Sequence, residues 1–365
     1  MTLIVNDLHL GVQRKGGTTP ASQEALRNYL FKAFEELLMG SQERHLLILG
    51  DLFDQFEVAP RDWIACYLIL SNWCTQGRGL TLVAGNHDHS PKAQRVSSFE
   101  MLCKVLVEQF GPDRVQVVGI DQWSYVEKTT IALAHCSNQD IFNAKLSEVH
   151  GLMSPLDKVL LHANYNNQFA VESDHSLNVS EDQARSFNTF GATLYFAHEH
   201  QARTLRDGGV VVFGNQWPTS VADCLNNDAK YAHIFTDDGI VPVLTWRADD
   251  EICEGSMAAG HCGFGQVKWT DLGDFDANGA QFIRIVGEAT AAQAGEVINA
   301  ISKFRTRSSA FVITNAVRID GVMQTEDLPA TFEAAKRFDV MEFIRRHVTA
   351  EEFVVVEGLL QREEQ

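Results

Sequence analysis

The sequence predicts an α/β fold, and three observations carry that reading. Short apolar runs recur through the first 200 positions, helical periodicity fills several of the stretches between them, and each run ends in a cluster of Asp, His or Asn. Runs this short, flanked by amphipathic segments, mark largely buried strands. In open α/β sheets the functional groups gather outside the carboxyl ends of the strands, so the polar clusters should converge on one rim.

The elements follow in order. Thr2-Leu3-Ile4-Val5 leads into Asn6-Asp7-Leu8-His9. Thr19-Pro20 reads as an N-cap with Pro at the first helical position, and Ala25, Leu26, Tyr29, Leu30, Ala33, Phe34, Leu37 and Leu38 follow at helical spacing up to Gly40. His45-Leu46-Leu47-Ile48-Leu49 leads into Gly50-Asp51-Leu52-Phe53-Asp54, and a second helix is expected from about Pro60 to Gln76. Leu80-Thr81-Leu82-Val83-Ala84 leads into Gly85-Asn86-His87-Asp88, with a third helix from about Ser97 to Phe110. Val159-Leu160-Leu161 ends at His162, and Thr193-Leu194-Tyr195-Phe196-Ala197 ends at His198-Glu199-His200.

Asp7, His9, Asp51, Asn86, His162, His198 and His200 together mix carboxylate, imidazole and amide oxygen without thiolate, a donor set for hard or borderline divalent cations rather than for structural zinc. Manganese fits best, with magnesium, iron and zinc as alternatives. A carboxylate can bridge two ions, and Asp51, with ligands on either side in sequence, is the natural bridge. Two ions roughly 3.5–4 Å apart can activate a water and neutralise the attacking and leaving oxygens of a phosphoryl displacement. His135, at the end of Ile131-Ala132-Leu133-Ala134, is a rival to His162. His162 is preferred because Asn164 and Asn166 follow it in a polar loop.

In order and spacing these clusters resemble the calcineurin-like metallophosphoesterase superfamily, and within it the SbcD exonuclease, relative of the meiotic-recombination-eleven repair nuclease. Val212-Phe213-Gly214-Asn215-Gln216-Trp217-Pro218-Thr219-Ser220 and Tyr231-Ala232-His233-Ile234-Phe235 resemble the strand and glycine turn that follow the motifs in that branch. One departure is Ala197, where the family usually has Gly before the last His-x-His. The short form of the chain resembles phage-encoded members.

The resemblance implies a β-sandwich of two mixed sheets flanked by helices, with a small α+β capping domain and C-terminal helices. It implies one ion held by Asp7, His9, Asp51 and His200, and a second by Asp51, Asn86, His162 and His198. His87 would act on the phosphate, stabilising the transition state or protonating the leaving oxygen. Asp88 would orient His87 by accepting its second ring proton, and Asp54 would hold a metal-binding histidine. The implied activity is a DNA nuclease, a 3′-5′ exonuclease with endonuclease cutting left open, using a metal-activated water on phosphodiesters in DNA repair, recombination or phage DNA processing. The implied partners are DNA and an SbcC-like coiled-coil ATPase; a homodimer is left open.

Composition constrains this expectation. Lys and Arg number 30 against 48 Asp and Glu, a formal net charge of −18, the wrong sign for gripping nucleic acid over a whole face. Phosphate attraction should come from the ions and from cations just beyond the motifs: Arg14 and Lys15, Lys92 and Arg95, Arg203 and Arg206. Seven cysteines without Cys-x-x-Cys spacing read as reduced cytoplasmic thiols. Cys253 with His261-Cys262 lacks a fourth ligand for zinc. No run approaches 18 apolar residues, and the chain opens in a strand rather than a leader, so neither membrane spanning nor export is expected.

Residues 1–248 are thus expected to form the metallophosphoesterase domain. Residues 249–265, acidic and then Gly-rich, read as a linker. A strand-helix-strand unit follows within 266–328: Phe282-Ile283-Arg284-Ile285-Val286, a helix opened by the capping-box pair Thr290 and Gln293, and a strand at about 310–319. Two short amphipathic helices in 329–365 would dock the ATPase partner. The alternatives are a phosphoesterase for small nucleotides or phosphoproteins, and a non-catalytic scaffold on the same fold. Gln55-Phe56 and Asp88 stand where the protein phosphatases carry Arg-Gly and Glu, which argues against that branch.

Overall fold

The computed structural model describes residues 1–12, 20–89, 95–167, 177–225, 229–236, 239–247, 263–275 and 280–320. The expected docking helices in 329–365, the cysteines and histidine at 253–262, and Arg14, Lys15 and Lys92 lie outside these residues.

The first third alternates strand and helix: β1 (Thr2–Val5), α1 (Pro20–Gly40), β2 (His45–Leu49), α2 (Pro60–Thr75), β3 (Gly79–Val83), α3 (Ser98–Phe110) and β4 (Val115–Val118). There follow β5 (Trp123–Glu127), β6 (Thr130–Leu133), α4 (Gln139–His150), β7 (Lys158–His162), β8 (Asn164–Tyr165), β9 (Asn178–Val179), α5 (Glu181–Thr189), β10 (Thr193–Ala197), β11 (Arg203–Leu205) and β12 (Val210–Val212). Then come the four-residue α6 (Ala222–Leu225), β13 (Ala229–Thr236) and β14 (Gly239–Arg247), and finally β15 (Phe264–Lys268), β16 (Phe282–Ala289), α7 (Ala294–Arg307) and β17 (Val312–Ile319).

Two six-stranded mixed sheets result, in the orders β14-β13-β1-β2-β3-β4 and β11-β12-β10-β7-β6-β5. β1 to β4 run parallel, as do β6, β7, β10 and β12; β13 joins β1 antiparallel and carries the edge strand β14, and β5 and β11 are antiparallel edges of the second sheet. This is the expected sandwich. The five polar clusters are therefore shared between two sheets, three on the first and two on the second.

Side-chain alternation explains why the second sheet is covered on both faces. On β7, Leu160 joins the core shared with the first sheet and α1 to α3, whereas Val159 and Leu161 join a separate core with α4 and α5. Along β10, Ala197 belongs to the first core and Leu194 and Phe196 to the second. Period-two alternation of apolar residues on both faces gives the continuous apolar runs seen in the sequence.

The chain divides into two compact units, 1–286 with 299–316, and 287–298 with 317–365. In the first, β15 pairs in parallel with β16 from Phe264↔Phe282 to Lys268↔Val286. Phe264 and Gly265, expected to be linker, are thus strand. Phe282 packs against Trp246, and the Phe311 ring lies 5.4 Å from that of Tyr29 on α1. In the second unit, Thr290 and Gln293 are hydrogen-bonded as the capping-box pattern requires, at 3.0 Å from Thr290 N to Gln293 Oε1. Among the described residues no helix is long and apolar enough to cross a membrane.

Candidate metal centre

Strand hydrogen bonding continues past the ends of β1 to β3 and holds their loops in register. Asp7 N donates to Gly50 O, His9 N to Asp51 O and Gly50 N to Val83 O, at 3.1, 3.0 and 3.0 Å. At these positions the backbone turns into the left-handed region: φ is 49° at Asp7, 47° at His9, 49° at Asp51 and 78° at His198. Non-glycine residues rarely hold that conformation, and it clusters at functional sites. Here it turns side chains of both sheets toward a common point. His198 N donates to both Asp7 oxygens, at 3.1 and 2.9 Å, tying β10 to β1.

Space for the side chains comes from glycine. A Cβ on Gly50 would lie 2.0 Å from His162 Nδ1, and one on Gly85 would lie 2.2 Å from Asp51 Oδ1. Both glycines precede or follow a strand end where the imidazole or carboxylate must pass over bare backbone.

All seven expected ligands meet. Asp7, His9 and His200 form one group with ligand atoms within 4.8 Å of one another, Asp51, His162 and His198 a second, and His9, Asp51 and His87 a third between them. Asn86 Oδ1 sits 2.9 Å from His162 Nε2 and 3.0 Å from His198 Nδ1. His135 packs behind, its ring 6.5 Å from that of His162, and burial with the His162 charge lowers its pKa to about 3. It belongs to none of these groups.

The arrangement of donors fits a cation. His200 Nδ1 faces Asp223 Oδ1 at 3.0 Å, and His9 Nδ1 faces Asp54 Oδ1 at 3.5 Å. With the His200 Nδ1 proton given to Asp223, its Nε2 presents a lone pair toward His9 Nε2, 3.2 Å away. His162 Nδ1 is likewise directed at Leu49 O, 3.3 Å away, leaving its Nε2 lone pair toward the Asn86 and Asp51 oxygens. Converging acceptors of this kind repel unless a proton or a metal ion stands among them. Proton affinity is correspondingly high: burial opposes charge on His9 and His162, yet Asp54 and Asp51 for the first, and Asp51 for the second, raise each to about 9. Burial also opposes charge on Asp51, but His162, His87 and His9 hold it well below the usual carboxylate range.

One expectation is corrected. Asp88 does not accept a proton from His87: its oxygens take the Gly85 N–H at 3.0 Å and the Phe53 N–H at 3.4 Å, pinning two ligand loops from beneath. The His87 ring is held instead by the Asp54 carbonyl, 2.6 Å from Nδ1, and His87 N donates to Asp51 Oδ1 at 2.9 Å. Buried beside Asp51, the Asp88 carboxyl is pushed up to about 7. The arginines expected at the phosphate path each lie beside a glutamate: Arg95 pairs with Glu57 and Arg203 with Glu199, each at 2.5 Å, and Arg206 with Glu181.

Some residues went unread in the sequence. Asp223, in α6, backs His200 and takes its own donors from Thr219 N, Thr219 Oγ1 and Ser220 N. Lys230, buried in β13, donates to His200 O at 2.9 Å. Asn6 Nδ2 donates to Asp7 Oδ2 and to Gly214 O, at 2.6 and 2.7 Å. The one signal was Thr219-Ser220 three to four residues before Asp223, a hydroxyl-carboxylate turn spacing.

A sequence model of the family described as calcineurin-like phosphoesterase matches residues 1–202. This chain belongs to that family. Its members are metal-dependent hydrolases that bind divalent ions, and the His and Asp groups above occupy the matched region. Among solved structures, the chain is similar to the phosphopantetheinyl hydrolase PptH from Mycobacterium tuberculosis at 13% identity, covering 58% of this chain and 86% of that one with a TM-score of 0.33. A comparison with curated protein sequences found no match.

Proposed function

We propose that this chain is a two-metal DNA nuclease of the SbcD type, hydrolysing phosphodiester bonds. The observation that supports phosphodiester chemistry is the placement of His87. Its Nε2 stands 3.9 Å from Asp51 Oδ2 and its ring is partly exposed. The Asp54 carbonyl holds Nδ1, so Nε2 is the atom left for a phosphate oxygen. In its protonated form it donates to a non-bridging oxygen or to the departing alkoxide.

Asp7, His9, Asp51 and His200 would hold one divalent ion, and Asp51, Asn86, His162 and His198 the other. When bound, such a pair supplies the positive charge that makes water a stronger nucleophile and offsets phosphate charge. The protein's part is to keep every lone pair directed inward, through Asp54, Asp223 and Leu49 O. The DNA reading is supported by the sequence that follows the motifs, 212–220 and 231–235, and by the strand-helix-strand segment after residue 263, which a small ester does not require. The ATPase partner belongs to the same proposal.

A second reading has an observation of its own. The net charge is −18, and Arg95, Arg203 and Arg206, the described cations just beyond the motifs, each pair with a glutamate, which weakens the attraction for a polyanion there. A small phosphodiester would need less. Digestion of end-labelled single- and double-stranded DNA with Mn²⁺, beside bis-nitrophenyl phosphate, separates the two. The nuclease reading expects cleavage of both and loss of at least a hundredfold in both for His87→Ala, about 3 kcal/mol or more of transition-state stabilisation. Cleavage of the chromogenic ester alone would establish the small-substrate reading.

A further inference from the structure

The loop between β2 and α2 carries more than candidate ligands. Asp54 gives its carbonyl to His87 Nδ1 at 2.6 Å, and two residues later stands Phe56, whose Cα must lie within about 7 Å of the Asp54 Cα by chain geometry alone. Phe56 belongs to neither apolar core and is partly exposed. The Arg95 guanidinium lies over its ring, 5.4 Å from the centroid, and the Glu57 carboxylate holds that guanidinium at 2.5 Å.

The backbone around this ring is fixed from two helices. Ser98 N donates to Phe56 O at 3.0 Å, Val58 N to Ser98 Oγ at 3.1 Å and Trp63 Nε1 to Ser98 O at 3.0 Å, which ties the loop to the first turns of α2 and α3. An exposed ion pair such as Arg95 with Glu57 adds little stability. A cation drawn to one face of an aromatic ring does, however, set the position of that ring and leaves the opposite face for a second planar group. Every nucleobase offers such a plane, and stacking on an aromatic side chain is tolerant of base identity. Stacking also asks for no net positive charge, which suits a chain of net charge −18.

We infer that Phe56, on its face away from Arg95, is the stacking platform for the nucleobase on the leaving side of the scissile phosphate. The inference rests on the nuclease reading above and adds a subsite to it. His87 Nε2 meets the departing oxygen, and the nucleoside attached to that oxygen lies past His87 against Phe56. Such a subsite favours nucleoside esters over simple phosphodiesters without choosing among bases, so recognition on this side depends on the base plane rather than on phosphate charge.

Turnover of a dithymidine phosphodiester and of its two abasic forms, each lacking one base, tests this in the full chain with Mn²⁺; the product that carries the phosphate identifies the leaving nucleoside. In the wild type, removal of the leaving-side base should lower kcat/KM about five- to a hundredfold. Phe56→Leu, which keeps apolar bulk but has no aromatic face, should lose that preference, and Phe56→Trp should retain it. Each protein is compared with itself on paired substrates, so a general loss of activity in a variant leaves the ratio readable. No dependence on the leaving-side base in the wild type, or the same dependence in Phe56→Leu as in the wild type, would overturn the inference. Hydrolysis of bis-nitrophenyl phosphate with none of the three nucleoside esters cleaved would instead remove the nuclease reading beneath it.

Discussion

At the scale of single residues, the centre is made as much by missing atoms as by ligands. Gly50 sits at φ +79°, and any Cβ there meets the His162 ring at 2.0 Å. Gly50→Ala must therefore shift either the imidazole or the loop that carries Asp51. Overpacking of this kind costs about 1–3 kcal/mol, and left-handed backbone adds to it. Urea denaturation should show that loss, and Mn²⁺ titration should show weakened binding at the His162 position. A variant with wild-type stability and wild-type binding at both positions would mean that the ring is free to move aside. The clustering of the candidate ligands was legible because each follows a strand directly and so lies on a rim. Lys230 was not, and Asp223 only by its Thr219-Ser220 spacing, because nothing local to a four-residue helix or to β13 says that a side chain turns toward His200. The expected role of Asp88 failed for a related reason: sequence proximity to His87 suggested a bond, while the carboxylate points back under the loop to Gly85 N and Phe53 N.

At the scale of elements, helix ends fix how the ligand loops enter and leave. α3 begins after the loop that carries Asn86, and its entry is a full capping box: Ser97 Oγ accepts from Glu100 N at 2.9 Å, and Glu100 Oε2 from Ser97 N at 2.7 Å. Ser97→Ala removes one of these and should cost about 1 kcal/mol, read as a fall in thermal midpoint, with Mn²⁺ affinity retained because the strand-end ladder from Gly50 N to Val83 O holds the loop on its other side. A collapse of metal binding in this variant would show that the helix cap, rather than the ladder, positions Asn86. Elements with strong local signals were readable: α1 begins at Pro20, α3 matches its amphipathic run, and β1, β2, β3, β7 and β10 match theirs. α4 and α5 are short and more polar overall than α1 to α3, and the division of parallel strands between two sheets is set by tertiary pairing that no local pattern encodes. β15 was hidden by its glycines, since Gly265 looks like linker until Ile283 and Phe275 are seen to pack over it.

At the scale of the whole molecule, acidification acts through two opposing effects. Lowering the pH from 7 relieves self-repulsion in a chain of net charge −18, which favours the folded state. Against this stand histidines buried in neutral form. His233, on β13 and tilted against Phe213 with ring centroids 4.2 Å apart, has its pKa lowered by burial to about 3. Between that value and its ordinary 6.5, the unfolded chain takes up a proton there and the folded chain does not. Stability therefore falls as pH drops below 6.5, by about 1.4 kcal/mol per pH unit, or about 2 kcal/mol at pH 5. Above pH 7 the group contributes no slope. His233→Phe keeps an aromatic ring against Phe213 and removes the titration, so its stability should decline less steeply on acidification. Urea denaturation in chelator at pH 7, 6 and 5 reads the difference with metal competition eliminated in both proteins. Parallel slopes for the two proteins would show that the folded state admits the proton at His233. A slope reduced by about one proton would place the acid sensitivity of the first sheet at this ring, apart from the candidate metal-binding histidines at the rim.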